Sequence, residues 1–476
     1  MDNTTAYDLT PATACLAKAF LTTLKQTPEM SFEALEGEVL SIGHKAIAKG
    51  LELALEALDS QLCKQLPQGH HQHDMKDREL ATQIGDIKFS YRRVKDQYGH
   101  TYSPLAEELD IPVGARIAPG AASWLVEAST QVSYEKSAVL MYKAGGSRVS
   151  ATSVMNKVKQ AGALCEAEDE QAAKNLYEGG VLPDGEHIAE HINVETDGTW
   201  VSLWRPGEND PRRIEVKAVV AYDGKVRKGK KTERTNVIRH ACVGSPADFW
   251  TQGVAAIGTL YDLSKVKACD LGTDGEGWCK AGPAFFGNIE TTSHLDPFHV
   301  NRAIARCFSD KKLAGKTIGV IWDDGVDSAI ALMRASLARG LAYESAALQA
   351  ITYLENNKEA IEAEGPSLGT MESENQHLYS ARMDSFPCAW SIQGASNMSR
   401  LISRSHSGRK RPRVTRANSA TARRCSMLEK REIAIYEQGC AGRMVESVGS
   451  GYEYPHKASV RSKQASVQYA AALDLL

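Results

Sequence analysis

Apolar residues recur every three to four positions between residues 31 and 66. Leu35, Val39, Ile42, Ala46, Leu51, Leu55, Leu58 and Leu62 form one stripe, and Pro67 stops it. That spacing predicts a long amphipathic helix that packs or dimerises. Residues 86–102 alternate instead: Ile87, Phe89 and Tyr91 against Lys88, Ser90 and Arg92, with Asp96-Gln97-Tyr98-Gly99 as the turn of a hairpin. The polar connector Gly69-His70-His71-Gln72-His73-Asp74 reads as a solvated loop, adventitious metal binding being the alternative. After a Pro/Gly-containing stretch at 112–120 come two helices, Ser133–Ala144 and Val149–Ala161, joined by Gly145-Gly146. Ser150 is placed to cap the second and Gly162 to end it. This pair is a helix-turn-helix candidate. Val154 and Val158 would face the partner helix, leaving Thr152, Ser153, Asn156 and Lys157 to reach DNA. Such pairs also occur in ordinary helical domains.

From residue 190 the period shortens to two. His191–Leu203, Ile214–Tyr222 and Thr235–Val243 read as a three-stranded meander, and Val266–Leu271 as a short buried strand. Between them Pro246–Leu263 is an amphipathic helix, with Phe249, Trp250, Val254, Ile257 and Leu260 on one face. Three strands, a helix and a fourth strand is the order of a ribonuclease-H-like domain, which sets its first and fourth strands side by side. Residues 300–365 are helical again and too long for a simple connection. The expected fold is therefore an α/β catalytic domain of ribonuclease-H-like type (186–404) with an all-helical insertion at about 300–365. It follows a mostly helical N-terminal DNA-binding region, divided into 1–83 and a hairpin plus helix-turn-helix at 84–165. Residues 405–476 form a basic tail.

Composition is that of a soluble globular protein, 42% hydrophobic and 24% charged over 476 residues. The ten cysteines show no CxxC or zinc-finger spacing, which predicts thiols in a reducing compartment. No secretory signal and no apolar run of membrane-spanning length is seen, so the expected location is cytoplasmic, with no membrane partner. The net charge of −3 decides nothing, but its distribution does. Residues 1–60 carry nine acids against four Lys/Arg, whereas 400–428 carry nine Lys/Arg and no acid. Lys225, Arg227, Lys228, Lys230, Lys231 and Arg234 cluster in an expected hairpin loop. Segregated positive charge suits phosphate-backbone binding, and a solvated loop or tail is the alternative.

The chemistry lies in short acidic motifs: Asp197-Gly198-Thr199-Trp200, Asp274-Gly275-Glu276-Gly277-Trp278, and Gly369-Thr370-Met371-Glu372 running into Ser373-Glu374-Asn375-Gln376-His377. Leu295-Asp296-Pro297-Phe298-His299 lies between the last two. An Asp ending a strand before Gly aims its carboxylate off the sheet edge, where sites collect in α/β folds. Taken singly, an Asp-Gly pair is a turn. Together, three carboxylates from distant segments suit two hard divalent cations at phosphodiester chemistry. Glu372 is expected on a helix returning to the sheet, sharing a face with Gln376 and Tyr379. Glu374 would then point elsewhere.

These motifs make the chain resemble the ISL-re-two family of bacterial insertion-sequence transposases, from about residue 84 to about 404. The resemblance includes Ser133-Tyr134, Val149-Ser150, Lys217, Gly224 and Trp278. It continues through His377, Arg382-Met383 and Trp390-Ser391; Thr273 stands where the family pattern has Gly. It implies a DDE-type enzyme in which Asp197, Asp274 and Glu372 hold two Mg²⁺ ions roughly 3.5–4 Å apart, with Mn²⁺ as a substitute. Asp296 and His299 match an auxiliary D-x-x-H element that orients DNA or supports the site. The implied substrates are the element's terminal inverted repeats and target DNA, bound by a homo-oligomer. Thr152, Ser153, Asn156, Lys157, His377, Arg382, Arg400 and Arg404 are the candidate DNA contacts. Trp322 and Trp390 are either base-stacking or core residues. Two alternatives stay open: an inactive or domesticated DNA-binding regulator, and a glycoside hydrolase built on an acid pair.

Overall fold

The computed structural model describes residues 10–26, 31–206, 211–229, 231–366, 368–385 and 388–409. The basic tail from residue 410 on, and Lys230, lie outside the described residues. The chain divides into two compact units with a boundary between Ala161 and Gly162.

The N-terminal unit starts with helices α1 (Thr10–Gln26) and α2 (Phe32–Lys64), the second capped by Ser31. Strands β1 (His71–Thr82), β2 (Gly85–Lys95) and β3 (Thr101–Tyr102) form an antiparallel sheet in that order. Residues 71–82, read partly as a loop, are thus a strand, paired from Thr82↔Gly85 to His71↔Lys95. The boundary expected at 83/84 falls in the turn of this hairpin. β3 covers β2 only at Val94 and Lys95. Along the rest of that strand Glu52, Glu56 and Asp59, one stripe of α2, accept the N–H groups of Lys88 (2.8 Å), Ser90 (3.1 Å) and Arg92 (3.1 Å). Part of the N-terminal acid excess therefore closes a sheet edge that would otherwise be open to pairing.

Helices α3 (Pro104–Glu108), α4 (Pro119–Ser129) and α5 (Tyr134–Gly145) follow, then α6 (Ala151–Tyr177). Ser133 caps α5, left-handed Gly146 (φ 82°) stops it, and Ser150 accepts from Ser153 N–H (3.1 Å) at the start of α6. Val154 and Val158 are buried, while Thr152 and Asn156 are exposed and Ser153 and Lys157 half-buried.

The second unit is built on a five-stranded mixed sheet. Its strands are β4 (His191–Ser202), β5 (Arg213–Tyr222), β8 (Ile238–Cys242), β9 (Ala268–Thr273) and β10 (Glu290–Leu295), in the order β10-β9-β4-β5-β8. β6 (Gly224–Lys228) and β7 (Lys231–Thr235) form a separate hairpin between β5 and β8. β4, β9 and β10 run parallel, and β5 is antiparallel to β4 and β8. β10 is a fifth strand that the sequence pattern does not announce. Helix α7 (Pro246–Ile257) buries Phe249, Trp250 and Val254 with Ile192, Val194 and Leu271 of the sheet. After α8 (Gly277–Lys280), the helices α9 (Pro297–Ala305), α10 (Lys311–Asp323), α11 (Val326–Ala338), α12 (Glu344–Asn356) and α13 (Lys358–Glu362) form an insertion with its own core.

The chain returns through α14 (Met371–Glu374), a π-helical turn (Asn375–Ser380), α15 (Ala381–Met383) and α16 (Ile392–Ser405). α16 is buried on every side from Ala395 to Arg404. This corrects two expectations. Gly162 does not end α6. It lies inside the helix, where a Cβ would come within 2.4 Å of the Asn397 side chain on α16, so the glycine permits close packing. Arg400 and Arg404, expected on DNA, are each 3% exposed. Arg400 donates to Asp169 of α6 (2.8 Å) and to Gln252 (2.7 Å), and Arg404 donates to the other oxygen of Asp169 (2.7 Å) and pairs with Glu168. Burial favours a neutral Asp169, but His240, Arg404 and Arg400 outweigh it and hold the carboxyl well below its ordinary range. These arginines are committed to the core.

Candidate active site

Alternation along β4 sends Ile192 and Val194 into the core with α7 and turns Asn193, Glu195 and Asp197 to the opposite face. β9 pairs with β4 only as far as Gly272↔Glu195. Asp197 thus stands just past the parallel pairing and not at the end of its own strand, since β4 continues to Ser202 against β5. The Asp197-Gly198 pair is strand, whereas Asp274-Gly275 is a turn. Gly275 has φ 90° and Asp274 accepts the N–H of Glu276 (2.9 Å). β10 ends in Leu295, and Asp296 then caps α9 by accepting from Phe298 N–H (2.8 Å). Asp197, Asp274, Asp296 and His299 line one pocket, closed by Gly369 and Met371.

Glu372, exposed on α14, meets two of these groups. Ligand atoms of Asp197, His299 and Glu372 all lie within 4.8 Å of one another. His299, expected only to support the site, thus offers a donor nitrogen at the same point as two acids. Asp197 is 9% exposed. Burial first, then the negative charges of Asp274 and Glu372, push its carboxyl up to about 7, against the Gly198 N–H (2.7 Å) and the Asn375 amide (2.9 Å) that stabilise its anion. Burial also raises Asp296. Acids gathered at mutual electrostatic cost are the arrangement that a divalent cation relieves.

Two further groups hold this geometry, Glu195, which no motif marks, and Asn375, which lies within the third motif without a role assigned to it. Glu195, two residues before Asp197, is 1% exposed. Its carboxylate accepts the N–H groups of Gly369 (2.9 Å) and Thr370 (2.6 Å), the Thr370 hydroxyl (2.6 Å) and the Tyr222 hydroxyl (2.7 Å). Burial alone would raise its pKa, but these bonds lower it. The incoming segment crosses β9 at Gly272, where a Cβ would meet Leu368 at 3.1 Å. Asn375, one turn after Glu372, supplies the amide on Asp197. The spacing Glu195/Asp197 on one strand face is the signal that could have exposed the first of these.

Glu374 is buried and paired with Arg234 and Arg239, away from the cluster. The π-helical turn changes the register after it, so Tyr379 is not on the exposed face with Glu372. It is 1% exposed and hydrogen-bonded to Ser403 (2.9 Å). Gln376 and His377 are exposed. Arg382, another expected DNA contact, is buried with its guanidinium 5.1 Å from the centre of the Trp390 ring. Trp390 is a core residue, and Trp322 is 41% exposed with its indole N–H on Asn301 (2.9 Å). In the expected basic hairpin, Lys225, Arg227 and Lys228 are exposed, but Arg234 is not. The described cysteines are free thiols, and no helix among the described residues is long and apolar enough to cross a membrane.

The chain belongs to an uncharacterised protein family, UPF0236, whose model matches residues 25–419. Similar proteins occur in Caldanaerobacter subterraneus subsp. tengcongensis. One UPF0236 protein there, whose name carries eleven locus designations, is 26% identical over 339 residues, 69% of this chain and 68% of the relative. The UPF0236 protein TTE2489 is 24% identical over 341 residues, again 69% and 68%. A third, named for four loci, is 25% identical over 338 residues, with the same shares of each chain.

Proposed function

We propose that this UPF0236 protein is a DNA transposase of the DDE type, cutting and rejoining phosphodiester bonds at the ends of a mobile element. The observation that carries the reading is that Asp197 of β4 meets both other acids: it lines one pocket with Asp274, just past β9, its ligand atom lies within 4.8 Å of those of Glu372 on α14 and His299, and the charges of Asp274 and Glu372 both bear on it. The pairing of β4 with β9, with the antiparallel strands β5 and β8 beyond β4, supports reading the sheet as ribonuclease-H-like. Relatives named for eleven and four loci in one organism suit a gene that multiplies within a genome.

The donor set fits a divalent cation: two carboxylates and an imidazole lie within reach of one point, with Asp274 lining the same pocket. Oxygen donors suit Mg²⁺, and the imidazole nitrogen makes Mn²⁺ at least as good a fit. A cation bound here would neutralise the acids and acidify a coordinated water. The chain's own residues do the rest. Asn375 and the Gly198 N–H hold Asp197 in the orientation that leaves it facing His299 and Glu372. Glu195 fixes the turn that delivers Glu372. The exposed Thr152 and Asn156 on α6 are the base-reading candidates.

The test is a nicking assay on end-labelled duplexes taken from the DNA flanking this gene. Products ending in a 3′-hydroxyl, formed with Mg²⁺ or Mn²⁺ and absent with chelator, are expected. Protein that binds those duplexes but never cuts them would favour the regulator reading.

A further inference from the structure

The β6–β7 hairpin is tied to the third acid by contacts on both sides of it. Arg234, on β7, donates to the Thr370 hydroxyl (3.2 Å) and pairs with Glu374. Its guanidinium therefore grips the residues two before and two after Glu372. Thr370 in turn donates to Glu195 (2.6 Å), as does Tyr222 (2.7 Å) at the root of the hairpin. The hairpin is solvent-facing and cationic along β6, with Lys225 near its root and Arg227 and Lys228 towards its far end all exposed. Lys228 pairs with Glu233 (2.6 Å) across the ribbon. Lys225 is the cross-strand partner of Arg234, and both sit 5.6 Å from the centre of the Tyr222 ring.

We propose that this hairpin is a nucleic-acid backbone contact whose occupancy is transmitted through Arg234 to Glu372, so that duplex binding and cation binding at the acid site strengthen each other. The inference rests on the reading of that site as a cation-dependent DNA-cleaving centre. Exposed, closely spaced Lys and Arg side chains suit the regularly spaced charges of a phosphate backbone. A two-stranded ribbon is marginally stable by itself, and like charges facing each other across it weaken it further. A phosphate beside Lys225 removes that repulsion and firms the pairing of Lys225 with Arg234. Arg234 is then held more rigidly on Thr370 and Glu374, and the backbone that carries Glu372 is fixed between them. Coupling of this kind is reciprocal, so either ligand reports it.

The experiment measures Mn²⁺ affinity by electron paramagnetic resonance on the full chain, with and without a duplex carrying the gene's flanking sequence. Wild type should bind Mn²⁺ about five-fold or more tightly when the duplex is present. The triple variant Lys225→Ala, Arg227→Ala, Lys228→Ala changes only exposed side chains; it should lose that enhancement and flatten the salt dependence of duplex binding. Arg234→Met should weaken Mn²⁺ binding already without duplex and show no enhancement when duplex is added. Enhancement of wild-type size in either variant overturns the proposal, and so does a wild type that binds Mn²⁺ but shows no linkage to duplex. A wild type that shows the linkage yet cuts no DNA keeps the coupling and removes the cleavage reading instead.

Discussion

Replacing Asp197 by Asn should make the metal-free protein more stable at alkaline pH and leave it nearly unchanged in acid. Asp197 is buried beside Asp274 and Glu372, and its carboxyl titrates near 7 in the folded chain. In the unfolded chain it titrates at about 3.9. Between those values the native state holds a proton that the unfolded state has released, so stability falls as pH rises through the window. At about 1.4 kcal/mol per pH unit the full interval is worth about 4 kcal/mol. Asparagine cannot ionise, so it escapes this cost. It gives up about 1 kcal/mol because it accepts less well from the Gly198 N–H and the Asn375 amide. The expected gain at about pH 8 is therefore on the order of 3 kcal/mol, falling to none or slightly negative near pH 4. Guanidinium unfolding in chelator at both ends of the range measures it. Added Mn²⁺ should stabilise wild type at about pH 8 by relieving the same repulsion, and should do much less for the variant. A difference between wild type and variant that does not change with pH would refute the argument, because the acids would then not be crowded in the native state.

Four other outcomes are expected from the site, the packing and helix α6. Glu372→Gln should eliminate cleavage in both Mg²⁺ and Mn²⁺. Glu374→Gln, which leaves Arg234 and Arg239 without their buried partner, should cost stability on the order of 3 kcal/mol while the folded fraction keeps measurable activity; comparison of activity per folded molecule separates the two. Asp169→Asn removes the buried carboxylate that Arg400 and Arg404 share, leaving them only Glu166, Glu168 and Gln252, and should destabilise the second unit by about 3 kcal/mol, read by thermal unfolding, with no change in the salt slope of DNA binding. Asn156→Ala with Lys157→Ala should lower affinity for the gene's flanking sequence more than for random duplex in a competition assay, since base contacts specify and phosphate contacts only position; equal losses would make this helix a non-specific contact.

The parts of the fold legible in the sequence are those that present an unbroken apolar row to the core. β4, β5, β8 and β9 alternate against α7, and the apolar stripe of α7 matches the core it fills. β1 is hidden because it is polar on both faces for most of its length, and the acids that stabilise its partner strand lie on α2. β10, Glu290 to Leu295, carries one large apolar residue and pairs at the sheet edge. Arg400 and Arg404 mislead because charge counted along the chain ignores partners distant in sequence. Those partners, Glu166, Glu168 and Asp169, come more than 230 residues earlier. The site acids are visible as motifs, yet their spatial arrangement depends on Glu195 and Asn375, whose importance appears only when the segment before Glu372 lies across Gly272.

We propose that the acids Asp197, Asp274 and Glu372 cut DNA. The most direct test is single-turnover cleavage of the flanking-sequence duplex in Mn²⁺ by wild type and by Asp274→Ala, with duplex binding measured on the same preparations. Asp274 lines the pocket and contributes charge to Asp197. Wild type should release a strand ending in a 3′-hydroxyl, and the variant should bind the duplex as tightly while cutting it at least a thousand-fold more slowly, on the order of the loss seen when a reaction-centre group is removed. Cleavage by the variant at the wild-type rate would contradict the account.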